Sequence, residues 1–104
     1  MPAYIVADIQ VHDAAKFEEY KARVPASLAP FGGRFIVRGG KLETLEGTWS
    51  PARLVILEFP SVQQAKAWWN SDVYAEPKAM RRAASEGQFL VVEGVGTEAS
   101  VHGF

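Results

Sequence analysis

Residues 52–59, ARLVILEF, are a run of aliphatic side chains closed by Phe59, and they form the clearest strand in the sequence. Downstream, Ser61 opens a helix, with Gln64 three residues later as its capping-box partner. Val62, Ala65 and Trp69 give that helix an inward stripe, so Trp69 is expected in the core and Trp68 partly exposed. Asn70-Ser71 interrupts it. A further helical piece spans 72–84, with Pro77 expected at the start of a new helix. QFLVVEGV at 88–95 reads as the last strand.

Upstream, RFIVRG at 34–39 reads as a strand, and a long connection runs from Gly39 to Pro51 with a strand extension expected around Leu42–Leu45. AYIVADIQV at 3–11 is the first strand, and Asp13 caps the helix that follows. Phe17, Tyr20, Val24 and Leu28 recur at spacings of three and four along that helix. Pro25 is expected to kink or restart it, and Gly32-Gly33 to end it. The tail from Gly96 to Phe104 is small and polar and is expected to lie extended over the surface or a partner.

The order strand, helix, strand, strand, helix, strand predicts an α+β, ferredoxin-like βαββαβ sandwich. Two right-handed crossovers give an antiparallel sheet in spatial order 4-1-3-2 with both helices on one face. A chain of 104 residues fits a single ferredoxin-like domain over 1–104.

Side chains alternate faces along a strand. Ile5, Ala7, Ile9 and Val11, then Phe35 and Val37, then Val55, Leu57 and Phe59 are wholly apolar sets and should face the helices. The opposite sets mix Tyr4, Val6, Asp8 and Gln10 with Arg34, Ile36 and Arg38 and with Leu54, Ile56 and Glu58. A one-sided antiparallel sheet normally reads polar on its second face. This face is half apolar, so a second copy is expected to cover it, giving a homodimeric α/β barrel with a partly enclosed interior.

Composition points the same way. A chain this short buries roughly 60–70% of its unfolded surface, yet 48% of its residues are apolar and 12% aromatic. Surplus apolar surface on a small domain suits a subunit interface. Eleven basic and twelve acidic side chains leave a net charge of −1 without like-charge blocks, which argues against a nucleic-acid or anionic-membrane partner. The absence of cysteine excludes disulfides, thiolate metal sites and cysteine nucleophiles. No signal-like start or long apolar run is seen, and the expected location is cytoplasmic.

The run GGRFIVRGG (Gly32–Gly40), with LEG at 45–47, Trp49, Pro51, EFPS at 58–61, AKAWWNSDVY at 65–74, Val92-Glu93-Gly94 and Tyr20, resembles the domain-of-unknown-function family numbered 1330. The resemblance spans nearly the whole chain. It implies a ferredoxin-like fold within the dimeric α/β-barrel superfamily, and no established activity. That superfamily holds cofactor-independent monooxygenases, haem-degrading enzymes and ligand-sensing domains, and fold alone does not transfer their functions. The haem-degrading members use an Asn, a Trp and a His. Here Asn70 stands beside Trp69, but neither His12 nor His102 falls at a matching position, so no haem site is carried over.

Asp8, Arg38 and Glu58 share a parity on three strands, and Glu58 is expected to sit between the other two. A carboxylate in a semi-apolar cavity can act as a general base, and a guanidinium can clamp a carboxylate or enolate, so these three are the candidate catalytic residues. A structural ion pair is the competing explanation. Trp49, Tyr74 and His12 are candidate ligand-binding residues. Interface anchoring competes for Trp49, packing for Tyr74 and a solvent-exposed turn for His12. Arg81 and Arg82 are expected to be solvated or ion-paired, and His102 inert. Two histidines 90 residues apart give no metal-site spacing. No cofactor is implied.

The expected function is binding of a small organic ligand in the barrel interior of a homodimer. Cofactor-independent enzymology, by proton transfer or oxygenation, is one form of it. A non-catalytic ligand-binding or interaction module and a ligand-free structural dimer are the alternatives.

Overall fold

The computed structural model describes residues 1–96. It contains β1 (Ala3–Val11), α1 (Ala14–Leu28), a 3-10 turn (Ala29–Phe31), β2 (Arg34–Arg38), β3 (Leu54–Phe59), α2 (Val62–Trp69), α3 (Asp72–Ala84) and β4 (Ser85–Glu93). The four strands form one antiparallel sheet in the order β2-β3-β1-β4, the expected ferredoxin-like topology. His102 and nearly all of the tail lie outside the described residues. No helix of the described residues is long and apolar enough to cross a membrane.

Each helix begins where a side chain can satisfy an orphan backbone N–H. The Asp13 carboxylate accepts from Lys16 N at 3.1 Å, and the Ser61 hydroxyl accepts from Gln64 N at 3.1 Å. Ser71 caps α3 in the same way, accepting from Tyr74 N at 3.3 Å. Pro25 does not break α1, which continues through it with the proline ring in solvent. Pro77 lies inside α3 and does not start a new helix, because Ser71 already supplies the cap. No strand forms at Leu42–Leu45, where every residue is exposed. β4 begins at Ser85, earlier than its apolar run, because Ser85–Gly87 pair with the end of β1.

Between sheet and helices, Ile5, Ala7, Ile9, Val55, Leu57 and Phe59 meet the α1 stripe of Phe17, Tyr20, Val24 and Leu28. Gly33 lets the chain pass close over this core. A Cβ there would stand 2.5 Å from the Phe59 ring.

Two further expectations, about which way side chains face, also fail. Trp68 is the fully buried tryptophan and Trp69 the half-buried one. α2 turns Ala65 and Trp68 inward, and the Trp68 indole stacks on Tyr74 at 3.9 Å while donating to Ser27 Oγ at 3.0 Å. A buried indole needs such an acceptor. Second, the β2–β3 ladder shifts register at Ile36: Phe35 opposes Leu57, but Val37 opposes Ile56 and Arg38 opposes Val55. This bulge exchanges the faces of everything after it. Val37 therefore joins the uncovered face, and Arg38 leaves it.

Candidate functional site

The uncovered sheet face is built from cross-strand rows. Arg34, Glu58, Tyr4 and Val92 form one row, and Val37, Ile56, Val6 and Leu90 the next, which is wholly apolar. Leu54, Asp8 and Gln88 form a third. The Arg34 guanidinium meets Glu58 Oε1 at 2.6 Å. From the long connection, Trp49 reaches back and donates its indole N–H to Asp8 Oδ2 at 3.2 Å, while 63% of the residue stays exposed. Leu90 and Val92 on β4 are 58% and 46% exposed.

On this face Asp8 and Trp49 come together, and Glu58 does not join them. Asp8 opposes Leu54 and Glu58 opposes Tyr4, so the two carboxylates sit four residues apart along the ladder, about 13 Å. Arg38 lies on the opposite side of the sheet. The expected cluster of Asp8, Glu58 and Arg38 therefore does not assemble within the chain. His12 is exposed after β1, where its backbone N–H donates to Ala84 O at 3.0 Å. Tyr74 is fully buried.

Arg38 instead frames an opening between β2 and α1. Its Nη2 donates to Lys21 O at 2.8 Å, and its guanidinium lies 4.0 Å over the Phe35 ring. Arg53 joins it, with its guanidinium 5.4 Å from the Phe17 ring and packed against Gly39, whose φ of 69° leaves no side chain in the way. Arg53 Nε is buried with no hydrogen-bond partner among the described residues. The ion pairs of the described residues are Lys21–Glu18, Arg23–Glu76 and Arg34–Glu58, so neither Arg38 nor Arg53 has a carboxylate.

Behind the two arginines is an interior cavity of about 20 Å³, walled by Phe17, Tyr20, Phe35, Leu57 and Trp68. That is room for about one water molecule. In front of them an open groove of about 650 Å³ runs along Glu18, Lys21, Ala22 and Pro25. Arg53 was legible in sequence, since it has the parity of Val55 and Leu57 and so points to the helices.

Deeper in, the Tyr20 and Tyr74 hydroxyls are 2.9 Å apart, and Arg81 Nε donates to Tyr74 Oη at 3.4 Å. Burial raises the Tyr20 pKa above the usual phenol range, and neighbouring Tyr74 adds to the effect. Arg81 is only 3% exposed and has no carboxylate partner among the described residues, contrary to the expected solvated or ion-paired residue. Its signal in sequence is the spacing of Tyr74, Pro77, Arg81 and Ala84, one inward stripe of α3. Among the described residues no group of three or more His, Cys, Asp or Glu side chains could hold a metal.

Solved structures share this fold. A protein of unknown function from Rhodopseudomonas palustris, RPA0582, superposes with a TM-score of 0.74 at 18% identity, covering 91% of this chain and 83% of that one. SnoaB, a cofactor-independent oxygenase from Streptomyces nogalater, gives 0.62 at 18% identity, covering 92% and 95%. A dimeric ferredoxin-like protein of unknown function from Jannaschia sp. CCS1 gives 0.68 at 12% identity, covering 90% and 100%. No curated protein matches the sequence. Residues 2–95 match the family described as Domain of unknown function (DUF1330), and the chain belongs to that family.

Proposed function

We propose that this protein is a homodimeric binder of small organic anions, paired through its uncovered sheet face. The anionic group of the ligand sits on Arg38 and Arg53, and the rest of it lies in the open groove along α1, against Ala22 and Pro25. The observation that carries this reading is the pair of arginines, stacked on Phe35 and Phe17 at the mouth of an aromatic-walled cavity, with no carboxylate of the described residues on either. A guanidinium presents a planar fork suited to a carboxylate.

Binding without turnover fits the groups present. Asp8 and Glu58, the carboxylates suited to take a proton, are on the far side of the sheet. Glu18 in the groove is engaged with Lys21 at 3.3 Å. The dimer rests on the apolar row Val37, Ile56, Val6 and Leu90, and the dimeric Jannaschia relative supports it. Asp8, Glu58 and Trp49 then act in the interface.

Calorimetric titration with benzoate and benzylamine tests the reading. Benzoate is expected to bind and the amine not, and Arg38→Leu should abolish the difference. Equal behaviour of the two probes would remove the anion site. Light scattering should give twice the 11.4 kDa chain mass, and a monomer at micromolar concentration would remove the interface.

A second reading, cofactor-independent oxygenation, is favoured by the fold shared with the Streptomyces nogalater oxygenase. Oxygen uptake with electron-rich phenols is its test.

A further inference from the structure

At the other edge of the sheet, the second half of α3 brings three cations around one indole. Lys78 Nζ lies 4.7 Å from the Trp69 ring, and the guanidinium carbons of Arg81 and Arg82 lie at 5.7 and 5.9 Å. Arg81 also lies 4.0 Å over the Phe89 ring. Trp69, Arg81, Arg82, Ser85, Gly87 and Phe89 line an open pocket of about 270 Å³.

Like charges gathered this way repel, and burial raises the cost. Within the chain little offsets it. Among the described residues no carboxylate lies within 4 Å of any of the three cations. Glu86 is the neighbouring acid in sequence, but it opposes Gln10 and shares the uncovered face, while Ser85, Gly87 and Phe89 turn toward the cations. Arg81 has the long bond to Tyr74 and its aromatic stacking. Lys78 donates to Trp69 O at 2.7 Å. The last carbonyls of α3 attract positive charge, and because Arg81 and Arg82 lie in that final turn the helix end offsets part of their repulsion. The proton affinity of Lys78 is already lowered, first by burial and then by Arg82 and Arg81.

A buried guanidinium without a counter-ion, bordering a cavity shared with a second guanidinium, is the arrangement that recognises a multiply charged oxyanion. We infer that this cavity is a second binding site, for the phosphoryl dianion of a small phosphate monoester. The forks of Arg81 and Arg82 hold its oxygens, while Lys78, outside the pocket lining, adds only to the positive potential around it. The site is separate from the Arg38–Arg53 groove and stands whether or not that groove binds a ligand.

The test is an NMR titration with inorganic phosphate at constant ionic strength, with sodium chloride and sodium acetate as parallel series. Saturable shifts of the Trp69 indole and the Ser85 and Gly87 amides are expected with phosphate, and small unsaturated shifts with the other two. Arg82→Gln keeps the buried Arg81 in place and should weaken phosphate binding by about tenfold, the loss of one charge-assisted contact. Without phosphate, this variant should melt no lower than the wild type, since it relieves repulsion. Arg23→Gln, which alters an exposed cation paired with Glu76 on another surface, should leave the affinity unchanged. Shifts that track chloride, or affinity indifferent to Arg82, would overturn the site. Equal saturation by acetate would overturn the phosphoryl assignment.

Discussion

Arg34 and Glu58 face each other across the β2–β3 ladder, guanidinium to carboxylate at 2.6 Å, on the side of the sheet that no helix covers. Next to them runs the apolar row Val37, Ile56, Val6 and Leu90. In water such a pair contributes at most about 1 kcal/mol. Under a second sheet it becomes a desolvated pair beside an apolar strip, and removing one partner strands the other.

Glu58→Gln is therefore expected to act on association more than on folding. The dimer dissociation constant should rise by about tenfold or more, the scale of one charge left unpaired in an interface. Stability of the dissociated chain should change by less than about 1 kcal/mol. Sedimentation across a dilution series, with urea unfolding at the lowest concentration, separates the two. Equal association of variant and wild type would exclude this face as the interface.

The hydroxyl pair Tyr20–Tyr74 forms one buried unit with Arg81 Nε. Tyr74→Phe leaves the Tyr20 hydroxyl and Arg81 Nε without this partner and should cost about 1–3 kcal/mol. The Trp68 stack on the Tyr74 ring survives that change. Tyr20→Phe should cost a similar amount. The double variant should lose less than the two single losses added, by about 0.5 kcal/mol or more, because the second change removes a group already orphaned. A strictly additive cycle in urea unfolding would show that the hydroxyls act independently.

Alkaline pH should weaken the fold through Tyr20. Its pKa in the folded chain is raised above its unfolded value, near 10. The contribution is present in full below the unfolded pKa. Above it the unfolded chain loses the phenol proton while the folded chain keeps it, so stability falls as pH rises, by up to about 1.4 kcal/mol per pH unit. Comparing Tyr20→Phe with wild type between pH 9 and 11 isolates the slope, since other titrating groups are common to both. The variant should decline less steeply.

Two glycines of the arginine-containing run should differ in their response to alanine. A Cβ at Gly33 meets the Phe59 ring and Leu28, so Gly33→Ala overpacks the core and should cost about 1–3 kcal/mol. A Cβ at Gly40 meets nothing within 4 Å, and Gly40→Ala should stay within about 0.5 kcal/mol of wild type. Thermal unfolding of both decides it.

Much of this architecture was legible from local pattern. The stripe Phe17, Tyr20, Val24 and Leu28 repeats at helical spacing and is buried throughout. Ile5, Ala7 and Ile9, with Val55, Leu57 and Phe59, alternate as half-buried strands do. Asp13 and Ser61 each cap a helix, as their sequence neighbourhoods predict, whereas the Ser71 cap of α3 reads in sequence only as an interruption. The candidate site was legible only in pieces. Asp8, Glu58 and Trp49 do lie on the uncovered face, but Asp8 and Glu58 are too far apart to share a proton. Arg53 and Arg81 carried readable signals of parity and helical phase, which a charged residue type masked.

By itself, the sequence determined the elements, their order and the sheet they make, because strand and helix periodicities are written in neighbouring residues. Only the tertiary structure decided where the charges after Phe35 point. Parity along β2 places Arg38 beside Glu58, but the register shift at Ile36 turns it to the helices, and no residue in RFIVRG announces that shift. A bulge is a compromise between two strands and the layers they pack on, so its position depends on β3 and α1 as much as on β2. The same holds for Trp68 and Trp69. Their spacing on α2 permits either to face inward, and the choice went to the indole whose N–H could reach Ser27 on α1.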